Sequence, residues 1–455
     1  MSTKIAFVSL GCDKNTVDSE IMIQLLAEKG YEIVKEDDQA EVIVVNTCGF
    51  IQDAKEESIN TLIEMGQYKE SGKLKALVAT GCLAERYADQ IFEELPEVDA
   101  VVGTGSYEKI VDVVEELIHG GRGIRAQEDA GQRDLGYRKR VLTTPGYYGY
   151  VKIAEGCDNR CTYCVIPKLR GPFRSRKEED ILREVRDMAE EGVKELMIVA
   201  QDITKYGKDL DGVSRLPELL KKIAQVDGIH WIRLLYCYPE DITPELIQVI
   251  AEEPKIVHYV DMPIQHCSDG VLKRMGRHHT KQQLLDVIQA LRKAVPDIAL
   301  RTTLITGFPG ETEEDFQEMR EFIQEVRFDR LGVFAYSQEE DTPAARMPDQ
   351  IPEEEKERRK DILMELQQRI SSEKSQEMVG ESLEVIIEGQ ISGEEEEEGT
   401  KVYSARTYRD APDIDGFLFL SSSQEYLSGD FVQTQVVGAY EYDLMGVDED
   451  VEYSE

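Results

Sequence analysis

At 455 residues, 41% of them apolar, the chain is long enough for two or three domains with buried cores, and it has no run of 18 apolar residues to span a bilayer. The start, MSTKIAFVSLGC, has one basic residue and no secretory core, so a cytoplasmic location is expected; disulfides are rare there, and the 8 cysteines read as metal ligands or reactive thiols. A formal net charge of −38 opposes a phosphate backbone and favours basic partners.

Residues 3–118 repeat one pattern three times: KIAFVSLGC ends at Cys12, EVIVVNTC at Cys48 and LKALVATGC at Cys82. Each is a continuous apolar run of the kind buried in parallel sheets, followed by a helical stretch such as VDSEIMIQLLAEKG. Strand–helix units in one sheet cross over right-handedly, so the C-terminal strand ends share the edge where open α/β sheets bind ligands. Cys12, Cys48 and Cys82 are therefore expected on one rim. Three unrelated core cysteines are the alternative, but these have no reason to recur at strand ends. Residues 119–145 are polar, rich in Gly and Arg, and read as a linker.

Residues 146–373 alternate six strand candidates, YGYVKIAEG, ELMIVAQD, WIRLLYCYP, VHYVDMPIQ, ALRTTLITGFPG and RLGVFAYSQ, with amphipathic stretches such as TKQQLLDVIQALRKAVP. This predicts a partial (β/α)6 barrel, open on one side, with its site at the C-terminal strand ends. Residues 376–447 shift to short alternating segments, SLEVIIEG, KVYSARTY, GFLFLSS and DFVQTQVVGAY, separated by turns, and predict a small β-barrel. The run Glu394–Glu398 cannot pack and reads as a solvated loop. The fold class is α/β, with a parallel α/β sheet domain first and the small β-barrel last.

The stretch GCDNRCTYC places Cys157, Cys161 and Cys164 directly after the first barrel strand, spaced C-x3-C-x2-C. A structural zinc site, the alternative, wants four ligands, and no second pair of suitable spacing appears in this region. Three thiolates in one short loop suit three corners of a [4Fe–4S] cluster, leaving the fourth iron free for chemistry. With Tyr163 before the third cysteine, the loop resembles that of the radical S-adenosylmethionine enzymes. In that superfamily the open iron chelates the methionine end of the cofactor, and one electron then yields a 5′-deoxyadenosyl radical. The resemblance implies S-adenosyl-L-methionine as cofactor, with Tyr163, Gln201 in AQDIT, and Gly307 and Gly310 in TGFPGE beside it. Both glycines read equally well as turn residues.

The whole chain resembles the methylthiotransferases, which join an N-terminal α/β domain bearing three cysteines, a radical core and a C-terminal TRAM barrel. Cys12 in GCDKN, Cys48 in NTCGF and Cys82 in TGCLAERY match its second-cluster positions. The resemblance thus implies two [4Fe–4S] clusters and an electron donor such as flavodoxin or ferredoxin; it leaves the sulfur donor open. Cys237 and Cys267 match neither triplet and are expected in the core. Of the two branches, one methylthiolates an adenosine beside the anticodon of tRNA. The other methylthiolates the β-carbon of an aspartate in the twelfth protein of the small ribosomal subunit, and GCDKNTVDSE, YVKIAEGCDNRCTYCVIPKLRGPFRSR and LLYCYP look like this second branch. From residue 376 on there are 21 acidic residues and three basic, a sign that suits a basic ribosomal protein and not tRNA; the docking face is expected at Glu394–Glu398 or, if that run is only a solvated loop, at acids such as Asp413, Asp415 and Asp430. A non-catalytic iron–sulfur carrier is the reading from another class.

Overall fold

A computed structural model of the chain describes residues 2–70, 72–391 and 400–448, so the run Glu394–Glu398 lies outside the described residues. In chain order the first six strands are Lys4–Ser9 (β1), Glu32–Ile33 (β2), Val42–Thr47 (β3), Ala76–Gly81 (β4), Ala100–Val102 (β5) and Ile124–Ala126 (β6). They form one sheet in the order β2-β1-β3-β4-β5-β6, parallel throughout. Every residue of β3 and β4 is buried, as expected of apolar strands covered by helices on both faces. The segment expected to be a linker is not wholly one: β6 lies inside residues 119–145 and pairs with β5. Three residues of GRGIRA are too few to show a strand period in the sequence.

The next strands are Tyr148–Lys152 (β7), a short antiparallel pair Ala154–Glu155 (β8) and Arg174–Ser175 (β9), then Glu195–Val199 (β10), Trp231–Leu234 (β11), Ile256–Asp261 (β12), Ala299–Thr306 (β13) and Arg330–Ala335 (β14). Six of them make a parallel sheet ordered β14-β13-β12-β11-β10-β7, curled into a barrel that is not closed between its end strands. Register fixes the two faces. Ile198, Val260, Leu300, Leu304, Leu331 and Val333 point out into a core shared with Leu363 and Leu366 of the helix Glu353–Glu377. The alternate residues, among them Tyr150, Met197, Tyr259, Thr303 and Gly332, line the lumen. Cys237 and Cys267 lie in the outer core, as expected.

Ser382–Ile391 (β15), Lys401–Thr407 (β16), Leu418–Ser422 (β17), Phe431–Ala439 (β18) and Leu444–Asp448 (β19) close a second, smaller barrel. It stands against the N-terminal ends of the larger barrel's strands. Glu195 at the start of β10 accepts from Arg406 (2.6 Å) and from Arg233 (2.9 Å), and all three side chains are buried. Burial alone would raise the Glu195 pKa, but the two guanidiniums hold it below its ordinary value. Removing this carboxylate leaves the buried Arg233 without its anionic partner and Arg406 with Glu388 alone. Glu195→Ala is therefore expected to cost about 3–5 kcal/mol, read as a lower urea midpoint. Two of the acids expected to face a partner are tied instead to the barrel floor. Asp415 accepts from Tyr259 (2.7 Å) and pairs with Arg301 (3.4 Å), and Asp413 accepts from Tyr148 (3.1 Å). Buried tyrosine hydroxyls and guanidiniums need acceptors, and these carboxylates supply them. Among the described residues no helix is long and apolar enough to cross a membrane.

Candidate active site

Cys12 follows β1 and precedes the helix Asp13–Glu28 (α1), Cys48 follows β3 shortly before the helix Gln52–Gln67 (α2), and Cys82 opens the helix Cys82–Arg86 (α3) after β4. Because β1, β3 and β4 are neighbours, the structure brings the three thiols together on one rim, as the repeat in the sequence implied. Two glycines make the approach close enough. A Cβ on Gly81, whose φ is +92°, would stand 2.3 Å from Asn46 Oδ1, and one on Gly11 (φ +89°) would stand 2.9 Å from the Cys48 Cβ. Exposure grades from the exposed Cys12 through Cys48 to the buried Cys82. Burial pushes the Cys82 thiol up to about 12, against the pull of Arg170, and raises Cys48 as well.

The second triplet lies in the loop after β8. Gly156, at φ +80°, lets that loop fold onto Pro172, whose carbonyl oxygen would be 2.1 Å from any Cβ. Other contacts pin it. Thr162 N donates to Met275 O and Thr162 Oγ1 to Arg274 O, both at 2.8 Å, and Asn159 Nδ2 donates to Asp202 Oδ2 at 2.9 Å. Burial pushes Asp202 up to about 6 despite these donors, and it pushes Cys157 up to about 11 and Cys164 higher still. Thiols this buried stay protonated at neutral pH unless a metal takes the proton's place.

The two sites adjoin. Cys82 packs on Val165 and Leu169, which follow Cys164. Arg170 spans them: one Nη contacts Asp18 at 2.7 Å and Glu155 at 3.3 Å, the other Asn15 at 2.6 Å and Cys82 Sγ at 3.8 Å. Lys152 completes the network with Asp18 (2.6 Å) and Glu155 (2.8 Å), and Arg133 reaches Glu155 at 3.0 Å. Burial opposes ionisation of Glu155, yet Lys152, Arg170 and Arg133 hold it well below the usual carboxylate range.

Among the described residues no three His, Cys, Asp or Glu side chains converge on a point where one metal ion could sit. Three thiols in each triplet are the donor set that three irons of a [4Fe–4S] cluster would use.

Comparison with known proteins agrees with this geometry. The radical SAM superfamily matches residues 151–323, the uncharacterized protein family UPF0004 residues 4–103, and the TRAM domain residues 379–447. The chain is 53% identical over 446 residues to ribosomal protein uS12 methylthiotransferase RimO of Lachnoclostridium phytofermentans, covering 98% of this chain and 100% of that protein. It is 52% identical over 445 residues to the RimO of Clostridioides difficile, covering 97% and 98%. The chain belongs to the RimO family. Among solved structures, the radical S-adenosylmethionine methyltransferase TsrM of Kitasatospora setae shares the fold, with a TM-score of 0.56, 14% identity, and coverage of 87% of this chain and 79% of that one.

As a member of the RimO family the chain is a radical S-adenosylmethionine methylthiotransferase and an iron–sulfur enzyme. Tyr163, near the thiol of Cys161, packs against the buried cluster of Val271, Met275, Phe308, Tyr336 and Ala344. Gln201 donates to Glu155 at 2.9 Å, and its Oε1 is buried without a partner, an acceptor left for a ligand's N–H. Gly307 and Gly310, at φ +71° and +75°, have conformational reasons of their own, and a Cβ on Gly307 would strike Lys356 at 2.2 Å. Sequence reasoning missed Arg170 and Arg277. Arg277 is buried over the Tyr238 ring, 4.2 Å from its centroid, and its Nε and Nη1 lack partners. A basic residue in PKLRGP or MGRHHT gives no sign of which site it will serve.

Proposed function

We propose that the chain methylthiolates the β-carbon of an aspartate in ribosomal protein uS12, with S-adenosylmethionine as radical source and methyl donor. Cys157, Cys161 and Cys164 would hold one [4Fe–4S] cluster and Cys12, Cys48 and Cys82 an auxiliary one; when bound, the first supplies with its cofactor a hydrogen-abstracting radical and the second carries sulfur. The single observation behind this reading is the packing of Cys82 on Val165 and Leu169, which follow Cys164. The chain's own residues do the positioning. Asn159 and Asp202 hold the cysteine loop, Arg170 ties that loop to α1 and Cys82, and Gln201 offers an unpaired acceptor.

A tRNA substrate is the alternative reading, and the C-terminal barrel disfavours it. Its three cations are already engaged: Arg406 with Glu195 (2.6 Å), Arg409 with Asp329 (2.6 Å) and Lys401 with Glu425 (2.6 Å). Phosphate contacts by Lys and Arg dominate nucleic-acid affinity, and this barrel has none to spare. Mass spectrometry of uS12 and of tRNA from cells lacking the gene tests the assignment. Loss of the methylthio group from uS12 with tRNA unchanged is expected; the reverse would overturn it. Opposite charges steer association, and the Debye length is only about 10 Å at 0.1 M salt. The association rate with uS12 should therefore fall steeply as salt rises, in a stopped-flow titration, while tRNA binds poorly at moderate salt. A flavodoxin or ferredoxin is the proposed reductant.

A further inference from the structure

The residues that join the two thiol triplets do not balance in charge. Asp18, Glu155, Lys152, Arg133 and Arg170 form one closed network whose side chains are at most 7% exposed; among the described residues, every ion pair that any of the five makes is to another of the five. Three cations against two carboxylates leave one positive charge over. A charge taken out of water without a partner is costly, so a fold that keeps one is built to meet an anion. Of the three cations, Arg133 lies on the face of Tyr107, 4.3 Å from its centroid, and Lys152 is spent on both carboxylates. Arg170 alone touches a thiol, with one Nη 3.8 Å from Cys82 Sγ, and its charge acts on the Cys48 thiol as well. Its place is fixed. It ends the helix Ile166–Arg170, and Gly171, at φ +77°, turns the chain away over Gly131, whose amide nitrogen would stand 2.8 Å from a Cβ. Its other N–H groups go to Asp18 and Asn15 of α1, the helix that starts directly after Cys12.

We infer that Arg170 is the built-in counter-ion of the auxiliary centre at Cys12, Cys48 and Cys82, offsetting the negative charge that three thiolates and an added electron place there, and so setting how easily that centre is reduced. The inference rests on the two-cluster reading of the proposed function and assigns the tuning of one cluster to one residue. The potential of an iron–sulfur cluster follows its net charge, the hydrogen bonds to its sulfurs and its exposure; Arg170 brings a charge and an N–H donor to a buried site. Reduction adds one negative charge. A fixed cation beside it stabilises the reduced form, so removing that cation lowers the potential. The network tolerates the removal, because without Arg170 two cations face two carboxylates.

The test is a mediated redox titration, followed by electron paramagnetic resonance, of the full chain carrying Cys157→Ala, Cys161→Ala and Cys164→Ala, in which only the auxiliary centre reports. Adding Arg170→Gln should move the midpoint about 59 mV more negative, a tenfold change in the ratio of reduced to oxidised centre for one electron. Arg170→Lys keeps the charge without the planar fork and should restore most of that shift. Iron content separates charge from packing. If the glutamine variant fails to hold the auxiliary iron, the lysine variant should hold it; loss from both would make Arg170 a packing residue and overturn the inference. A midpoint unmoved in Arg170→Gln at full iron content would also overturn it, while leaving the two clusters in place. Absence of iron from the three-alanine chain with Arg170 intact would instead overturn the two-cluster reading. Should that chain misfold, the same titration of Arg170→Gln beside the otherwise unaltered enzyme decides, since one of two midpoints should move and the other stay.

Discussion

Replacing Cys157, Cys161 and Cys164 together with alanine is expected to reduce cleavage of S-adenosylmethionine to background, measured as 5′-deoxyadenosine formed after chemical reduction. Each thiolate anchors one iron, and the loop has no spare ligand. Asp202, the nearest buried carboxyl, is committed to Asn159 and Thr204 and cannot substitute. Single replacements should behave much like the triple one, because a cubane held by two thiolates loses iron. Retained 5′-deoxyadenosine production by the triple variant would remove the radical reading. Failure of the unaltered protein to form it would favour a non-catalytic iron–sulfur carrier.

The complementary variant, Cys12, Cys48 and Cys82 to alanine, should separate the two halves of the reaction. Iron and sulfide should drop by about half, since the triplets would hold clusters of the same composition. Cofactor cleavage should persist, while methylthiolated uS12 should disappear from the mass spectrum. Arg170 makes this a demanding test. Its contact with Cys82 Sγ is lost, but Asp18, Glu155 and Asn15 still hold it, so the radical loop keeps its anchor. Unchanged iron content would mean that these three thiols bind no cluster.

Much of this arrangement was legible in the residues. An apolar run ending in Cys, met three times, marks three parallel strand ends, and the sheet order β1-β3-β4 sets them side by side. The C-x3-C-x2-C loop is local, so its three thiols could hardly be far apart. What was not legible is long-range pairing. Asp18, Lys152, Glu155 and Arg170 come from two domains and share no spacing, and only the docking of α1 against the large barrel makes them one network. Charge counting stops short for a related reason. It gave the sign of the C-terminal unit but not its facing, and Asp413 and Asp415 are used on the barrel floor. The strand β6 escaped notice because three residues carry no period.

The way the small barrel meets the large one has a consequence for how the protein is made. Glu195, Arg233, Arg301 and Arg330 belong to strands synthesised long before residues 406–415, which supply partners to each of them. Until the ribosome has released that last stretch, the barrel floor lacks part of its ion pairing: Glu195 has Arg233 and Arg301 has Asp261, but Arg330 still lacks Asp410. A chain that stops early therefore has its cysteine loops but not a settled barrel, and chaperones and proteases can tell it from a finished one. The large barrel is thus fully neutralised only once residues 406–415 have been made.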